Sequence, residues 1–368
     1  MREWRASMVN STIEGSPQEQ SSMMASKNHI LGFSCLRAVA CIAIVVLHTV
    51  YSAVLLYGNE LGKWDTAISM IIVDCMMWAV PCFIMVTGAL LLDPKRIITY
   101  KKLFGKYIFR IFAALILFGM FFRIFDMLMD KEPVNIKGVL QGIYEIFTGT
   151  SWSHIWYLYL LIGLYLLLPF YKKIADNSGK NEIKYLLGIY VLFLSILPLL
   201  QLWNLNCGFY IHVSTIYPFY LFCGYAISKY IIQPSKAISL LLFVIGTVLI
   251  MIFTIIRWLC NMPGLEIFWG YSSFLVIIQA IGLFSLLKDV EERGLRILKW
   301  ILIKIDACSF GIYLIHMIFV RLVLRYMEFN PYKNGGVIAF IVLVLGILII
   351  SYIVTWILKK IPFLKSIV

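Results

Sequence analysis

The segment ILGFSCLRAVACIAIVVLHTVYSAVLLY, residues 30–57, decides how the rest of the chain is read. Its apolar run is longer than the roughly 20 residues that cross the hydrocarbon core of a bilayer. Within it lie two basic side chains, Arg37 and His48, of a kind that lipid tolerates poorly. Similar apolar stretches fill the chain beyond it, near residues 67–92, 107–129, 153–170, 185–203, 211–231, 236–257, 265–287, 307–327 and 335–358. The reading is an all-α, polytopic transmembrane helix bundle of about ten spans. Composition demands the same. Hydrophobic residues make up 61% and charged residues 14% of the chain, whereas soluble domains carry about 25% charged residues. A surface this poor in charge needs lipid as its solvent.

Orientation follows from the loops. With the N-terminus inside, 23 of the 32 Lys and Arg residues fall on the cytoplasmic side and 7 opposite, with Arg37 and Arg123 inside spans. Short cytoplasmic loops are enriched in Lys and Arg, so both termini are expected in the cytoplasm and the chain in the cell membrane. The net charge of +13 is then a consequence of topology, and no nucleic-acid partner is expected. The bilayer is the expected partner; homo-oligomerisation stays open. Met1–Lys27 is polar and lacks the apolar core of a signal peptide. Residues 1–28 read as a disordered cytoplasmic tail and residues 29–368 as one transmembrane domain. Ile136–Phe147 is too short to span and reads as an interfacial or re-entrant helix on the outer side. Cys207 and Cys260 fall in outer loops, where a disulfide could form. No Cys/His cluster suggests a metal.

Ionisable residues inside spans mark candidate sites. Arg37 and His48 are eleven residues apart, so on a helix they share a face, about 16 Å apart along the axis. The arginine can hold an anionic ligand near the inner surface, and the deeper imidazole can move a proton. The alternative for His48 is a neutral ring satisfied by a neighbouring carbonyl or hydroxyl. Asp74 in the second span could orient His48, as carboxylates align imidazoles in catalytic triads, or simply meet Arg123 or a hydroxyl. Arg123 and Asp126 are spaced to pair on one helix face. His154, His212, Trp156 and Tyr157 fall at the outer boundary, where the histidines would be wetted and the aromatics form a belt.

The Arg37, ten residues, His48 arrangement resembles the signature of the acyltransferase-3 family of integral membrane acyltransferases. Further segments are similar to it in order: VPCFIMVTG (80–88), IWYL (155–158) with Tyr165 and Pro169, YLFCGY (220–225) and SFGIYLIH (309–316). The resemblance implies transfer of an acyl group, commonly acetyl, from cytoplasmic acyl-CoA to a hydroxyl of a cell-surface or lipid-linked glycan. It implies His48 as catalytic histidine and Arg37 as essential arginine, with Asp74 as a third candidate. Lys106, Arg110 and Arg37 would hold acyl-CoA, a co-substrate, and no metal is implied. Trp156, Tyr157, Tyr313 and His316 are the candidate substrate contacts, with a packing or polar-network role the alternative for His316. One departure stands in the third span. Glycan-modifying relatives place two arginines three apart, and this chain has Tyr107 and Arg110 there, with Lys106 adjacent. The membrane portions of vancomycin-resistance serine racemases are similar to the same family, so a role in serine transport is the alternative; a lipid or polysaccharide exporter fits less well.

Overall fold

The computed structural model describes residues 17–205, 208–290 and 298–368, with side chains from Leu31 onward. The expected tail over residues 1–16, Cys207 of the suggested disulfide, and Arg293 and Arg296 of the charge tally lie outside the described residues. From Pro17 the backbone is helical, earlier than the expected boundary at residue 29. Proline suits the first helical turn, and the Gln, Glu, Met and Ala that follow are good helix formers.

Among the described residues the structure is helical throughout, with no strand. Helix α1 (Pro17–Tyr57) is followed by α2 (Lys63–Cys75) and α3 (Ala79–Leu91), then a short α4 (Tyr100–Lys102) that leads through a π-helical stretch into α5 (Phe109–Met129). Next come α6 (Ile136–Thr148), α7 (Trp156–Asn177), α8 (Lys180–Val191), α9 (Tyr217–Ser228) and α10 (Lys236–Leu259). The chain continues as α11 (Phe274–Leu287), α12 (Lys299–Arg321), α13 (Gly336–Leu358) and α14 (Pro362–Lys365). Among the described residues eight helical segments are long and apolar enough to cross a membrane, and the protein is a multi-pass membrane protein. The other two expected spans, 211–231 and 265–287, hold only α9 and α11, of 12 and 14 residues. Hydropathy counts apolar residues and not helical ones. Every residue of α9 after Tyr217 is buried, so this helix has protein for its solvent and no lipid thickness to match.

The 13-residue α6 is likewise too short to span. Asn135 caps it through the Gly138 N–H at 2.8 Å, and Gly149 ends it in the left-handed conformation at φ +72°. It exposes Ile136, Leu140, Tyr144 and Phe147, an apolar face that fits the expected interfacial helix.

Helix α1 is the axis of the bundle. Leu36, Ala38, Ala40, Val45 and Ala53 are fully buried against α2, α3, α12 and α13. Small side chains let helices in lipid approach closely, because packing and not water expulsion holds them together. Its contacts with α12 are nearly in register. Arg37 meets Asp306, Cys41 the Ser309 carbonyl, His48 meets His316, and Tyr57 the Leu324 carbonyl, with sequence offsets of 269, 268, 268 and 267. The two helices therefore run parallel, and residues at equal depth face each other.

At the end of the bundle near Arg37, Asp93 follows α3 and pairs with Lys229 at 2.7 Å. Partial burial alone would raise the Asp93 carboxyl. The hydrogen bond from Lys229, the Lys95 backbone N–H and the charges of both lysines outweigh it, and the carboxyl sits below its ordinary value. A carboxylate depressed on folding stabilises the folded state above its unfolded pKa, and the gain fades as pH falls through the folded value. Asp93→Asn should therefore lower the melting temperature slightly at pH 7, by under about 1 kcal/mol for so exposed a pair. The difference should begin to shrink near pH 4, the ordinary carboxylate range, and close only below the depressed folded value, a comparison that thermal unfolding from pH 7 down to the acid limit of stability checks.

Candidate active site

Two rungs join α1 to α12. In the first, Arg37 donates to both carboxylate oxygens of Asp306, Nε to Oδ1 at 2.6 Å and a terminal nitrogen to Oδ2 at 2.8 Å. A fork held at both prongs is fixed in direction. Arg37 and Asp306 line a cavity of about 1020 Å³, together with Lys106, Arg110, Lys359 and Lys365. A smaller cavity of about 170 Å³ continues inward and shares Arg37, Arg110, Ser309 and Phe310. Ile44, Tyr157 and Tyr313 also line it. Ile44 is one helical turn before His48, so this lining comes within a turn of the imidazole.

The second rung is chemical. His48 Nδ1 lies 2.8 Å from His316 Nε2, with the rings stacked at 5.0 Å between centroids. His316 Nδ1 lies 3.0 Å from the Ile312 carbonyl, which can only accept. With both rings neutral, the proton of His316 must therefore be on Nδ1, and its Nε2 carries a lone pair. That lone pair takes the Nδ1 proton of His48, which leaves His48 Nε2 unprotonated. The backbone of α12 thus selects the tautomer of a histidine on α1. His316 is fully buried and His48 half-buried.

A third histidine completes the cluster, and it corrects an expectation. His154, expected in water, is 2% exposed. Its ring lies 6.3 Å from His48 and 5.6 Å from His316 between centroids. The Tyr313 hydroxyl donates to the His154 carbonyl. The segment before α7 turns inward because Trp152 stacks on Phe122 at 4.4 Å and donates to Asp126 at 2.6 Å.

The remaining predicted residues divide. Tyr157 is buried and lines the inner cavity with Tyr313, away from the expected aromatic belt. Trp156 packs against Tyr217 and Tyr271 instead. Arg110 lines both cavities, donates to the Ile367 carbonyl at 3.1 Å and lies over the Phe310 ring; Lys106 is exposed at the rim. Asp74 is buried but does not orient His48. It accepts from Thr254 of α10 at 2.9 Å, the hydroxyl alternative. Arg123 and Asp126 do not pair either. Asp126 takes Arg321 at 2.9 Å, and Arg123 lies 3.7 Å from Glu132. A cation on a neighbouring helix at the same depth outcompeted the local spacing.

A family model described as an acyltransferase domain, Acyl_transf_3, matches residues 30–356, from the start of the first membrane segment almost to the end of α13. The chain belongs to the acyltransferase-3 family. No curated protein and no solved structure matches it significantly. As an acyltransferase-3 protein it has one local departure to explain, Tyr107 in place of a second arginine. The Tyr107 hydroxyl accepts from Arg96 at 2.9 Å, and its ring lies 6.1 Å from Tyr165. A guanidinium thus reaches this place from the loop after α3. Sequence reasoning missed Asp306 and the depth of His154. The spacing of Asp306 and His316, ten residues against eleven for Arg37 and His48, was the available signal for the first. For His154 no periodic signal existed, since it precedes its helix.

Proposed function

We propose that this acyltransferase-3 protein moves an acyl group, acetyl in the first instance, from cytoplasmic acyl-CoA to a hydroxyl of a cell-surface or lipid-linked glycan. The observation that carries the reading is the hydrogen-bonded chain Ile312 carbonyl, His316, His48, which holds His48 Nε2 ready to accept a proton. In the transfer, the acceptor oxygen bonds to the acyl carbon while its proton passes to His48 Nε2. The carbon–sulfur bond breaks, and His48 returns the proton to the departing thiolate. His316 steadies the imidazolium formed on the way. Phosphates of CoA suit the rim of Lys106, Arg110, Lys359 and Lys365, with Arg37 held by Asp306 at the inner end. The excess of Lys and Arg in the loops supports a cytoplasmic position for that rim.

Inverted membrane vesicles containing the chain, supplied with acetyl-CoA labelled in the acetyl group, should form an alkali-labile labelled ester in the membrane fraction. One free CoA should appear per ester. Tyr107, standing where glycan-modifying relatives have an arginine, favours the second reading, serine transport. Labelled serine entering the vesicles without ester formation would establish that reading and end the first.

A further inference from the structure

We propose that His154 binds the acceptor: its imidazole holds the attacking hydroxyl against His48, an inference that rests on the acyl-transfer reading above. Neither ring nitrogen of His154 makes a hydrogen bond of normal geometry, the Leu314 backbone being the one polar group that approaches the ring, although the residue is 2% exposed. Buried polar groups are nearly always paired, so an orphaned ring implies a partner that arrives later. The surroundings sharpen this. Phe122, Trp152 and Tyr313 lie within 6 Å of the ring, at 5.2, 5.9 and 5.9 Å between centroids. A phenylalanine would fill this nest without any unpaired atom, so the nitrogens serve something other than packing.

Position selects the ligand. The smaller cavity beside the basic rim is lined by Tyr157 and Tyr313 but not by His154, which packs instead against Phe122 and Trp152, the donor to Asp126. A small group between His154 and His48 sees an imidazole on each side, at ring separations too long for a direct bond. A hydroxyl uses both: its oxygen accepts the N–H of His154, and its proton points at His48 Nε2. That arrangement fixes the nucleophile at the base, the positional requirement of the reaction.

The test uses the same vesicles with two variants, His154→Phe and His154→Gln. The first keeps the shape and removes both nitrogens; the second supplies an N–H and an acceptor oxygen. His154→Phe should lower maximal ester formation by about 10- to 100-fold while half-saturating acetyl-CoA and the melting temperature stay near wild type. His154→Gln should recover a substantial part of the loss. Wild-type transfer by His154→Phe, especially with a raised melting temperature, would mean that the ring holds only water, and would overturn the assignment. Equal loss in both variants with lowered melting temperatures would also overturn it, by making the ring structural. The two readings fail separately. If His48→Ala transfers normally, the acyl-transfer mechanism falls; if His48→Ala is inactive and His154→Phe active, only the acceptor assignment does.

Discussion

Alanine in place of His48 should reduce ester formation by about 10²- to 10⁴-fold, the usual contribution of a positioned base. The remaining histidines cannot take over. His316 has committed Nδ1 to the Ile312 carbonyl and stands 5.0 Å behind the His48 ring, so truncating His48 leaves a gap between base and nucleophile. His154, whose ring lies 6.3 Å from that of His48, has no hydrogen bond of normal geometry to set its tautomer. His316→Phe should be intermediate: it leaves a base at position 48 but removes the acceptor that holds its proton on Nδ1 and balances the imidazolium. Ester formation from labelled acetyl-CoA, normalised to the amount of folded protein, measures both. Activity retained by His48→Ala in well-folded protein would be fatal to the mechanism.

Gly88→Ala should be the most damaging conservative change outside the site. Helices α3 and α9 meet backbone to backbone at two glycines. A Cβ on Gly88 would lie 1.8 Å from the Leu221 carbonyl oxygen, and one on Gly224 would lie 2.0 Å from the Met85 carbonyl oxygen. Neither obstacle is a side chain that can turn away, so the helices must separate. Overpacking usually costs about 1–3 kcal/mol, and with rigid backbone on both sides the upper end or beyond is expected. The double variant G88A/G224A should fail to yield monodisperse protein. Gly163→Ala is the control: its Cβ meets nothing within 4 Å, and alanine in a helix interior gains up to about 1 kcal/mol over glycine. Detergent-solubilised protein heated before size-exclusion chromatography reads all three. A wild-type melting temperature for Gly88→Ala would show that α3 and α9 are not packed this closely.

Some of this protein is legible along the chain. Apolar runs locate ten membrane-length segments, eight of which hold helices long enough to cross. Helical spacing put Arg37 and His48 on one face, and both side chains turn to α12. Where local spacing was asked to choose partners, it failed. Arg123 and Asp126 are well spaced to pair and do not, because Arg321 and Trp152 approach Asp126 from other segments. For Asp74 the spacing left a companion for His48, Arg123 and a hydroxyl all open, and the structure gives it the hydroxyl of Thr254 on α10.

What the sequence determined by itself was the solvent, the helices, the family and the face of α1 that carries chemistry, since each depends on residues within a few turns of one another. Only the tertiary structure decided that Asp306 clamps Arg37, that His316 sets the proton of His48, and that His154 turns inward. Those contacts join residues more than 100 positions apart, or a residue that precedes its helix. Periodicity states which side of a helix is special but not which helix will lie across from it. That choice is made by close packing at small residues over the whole bundle.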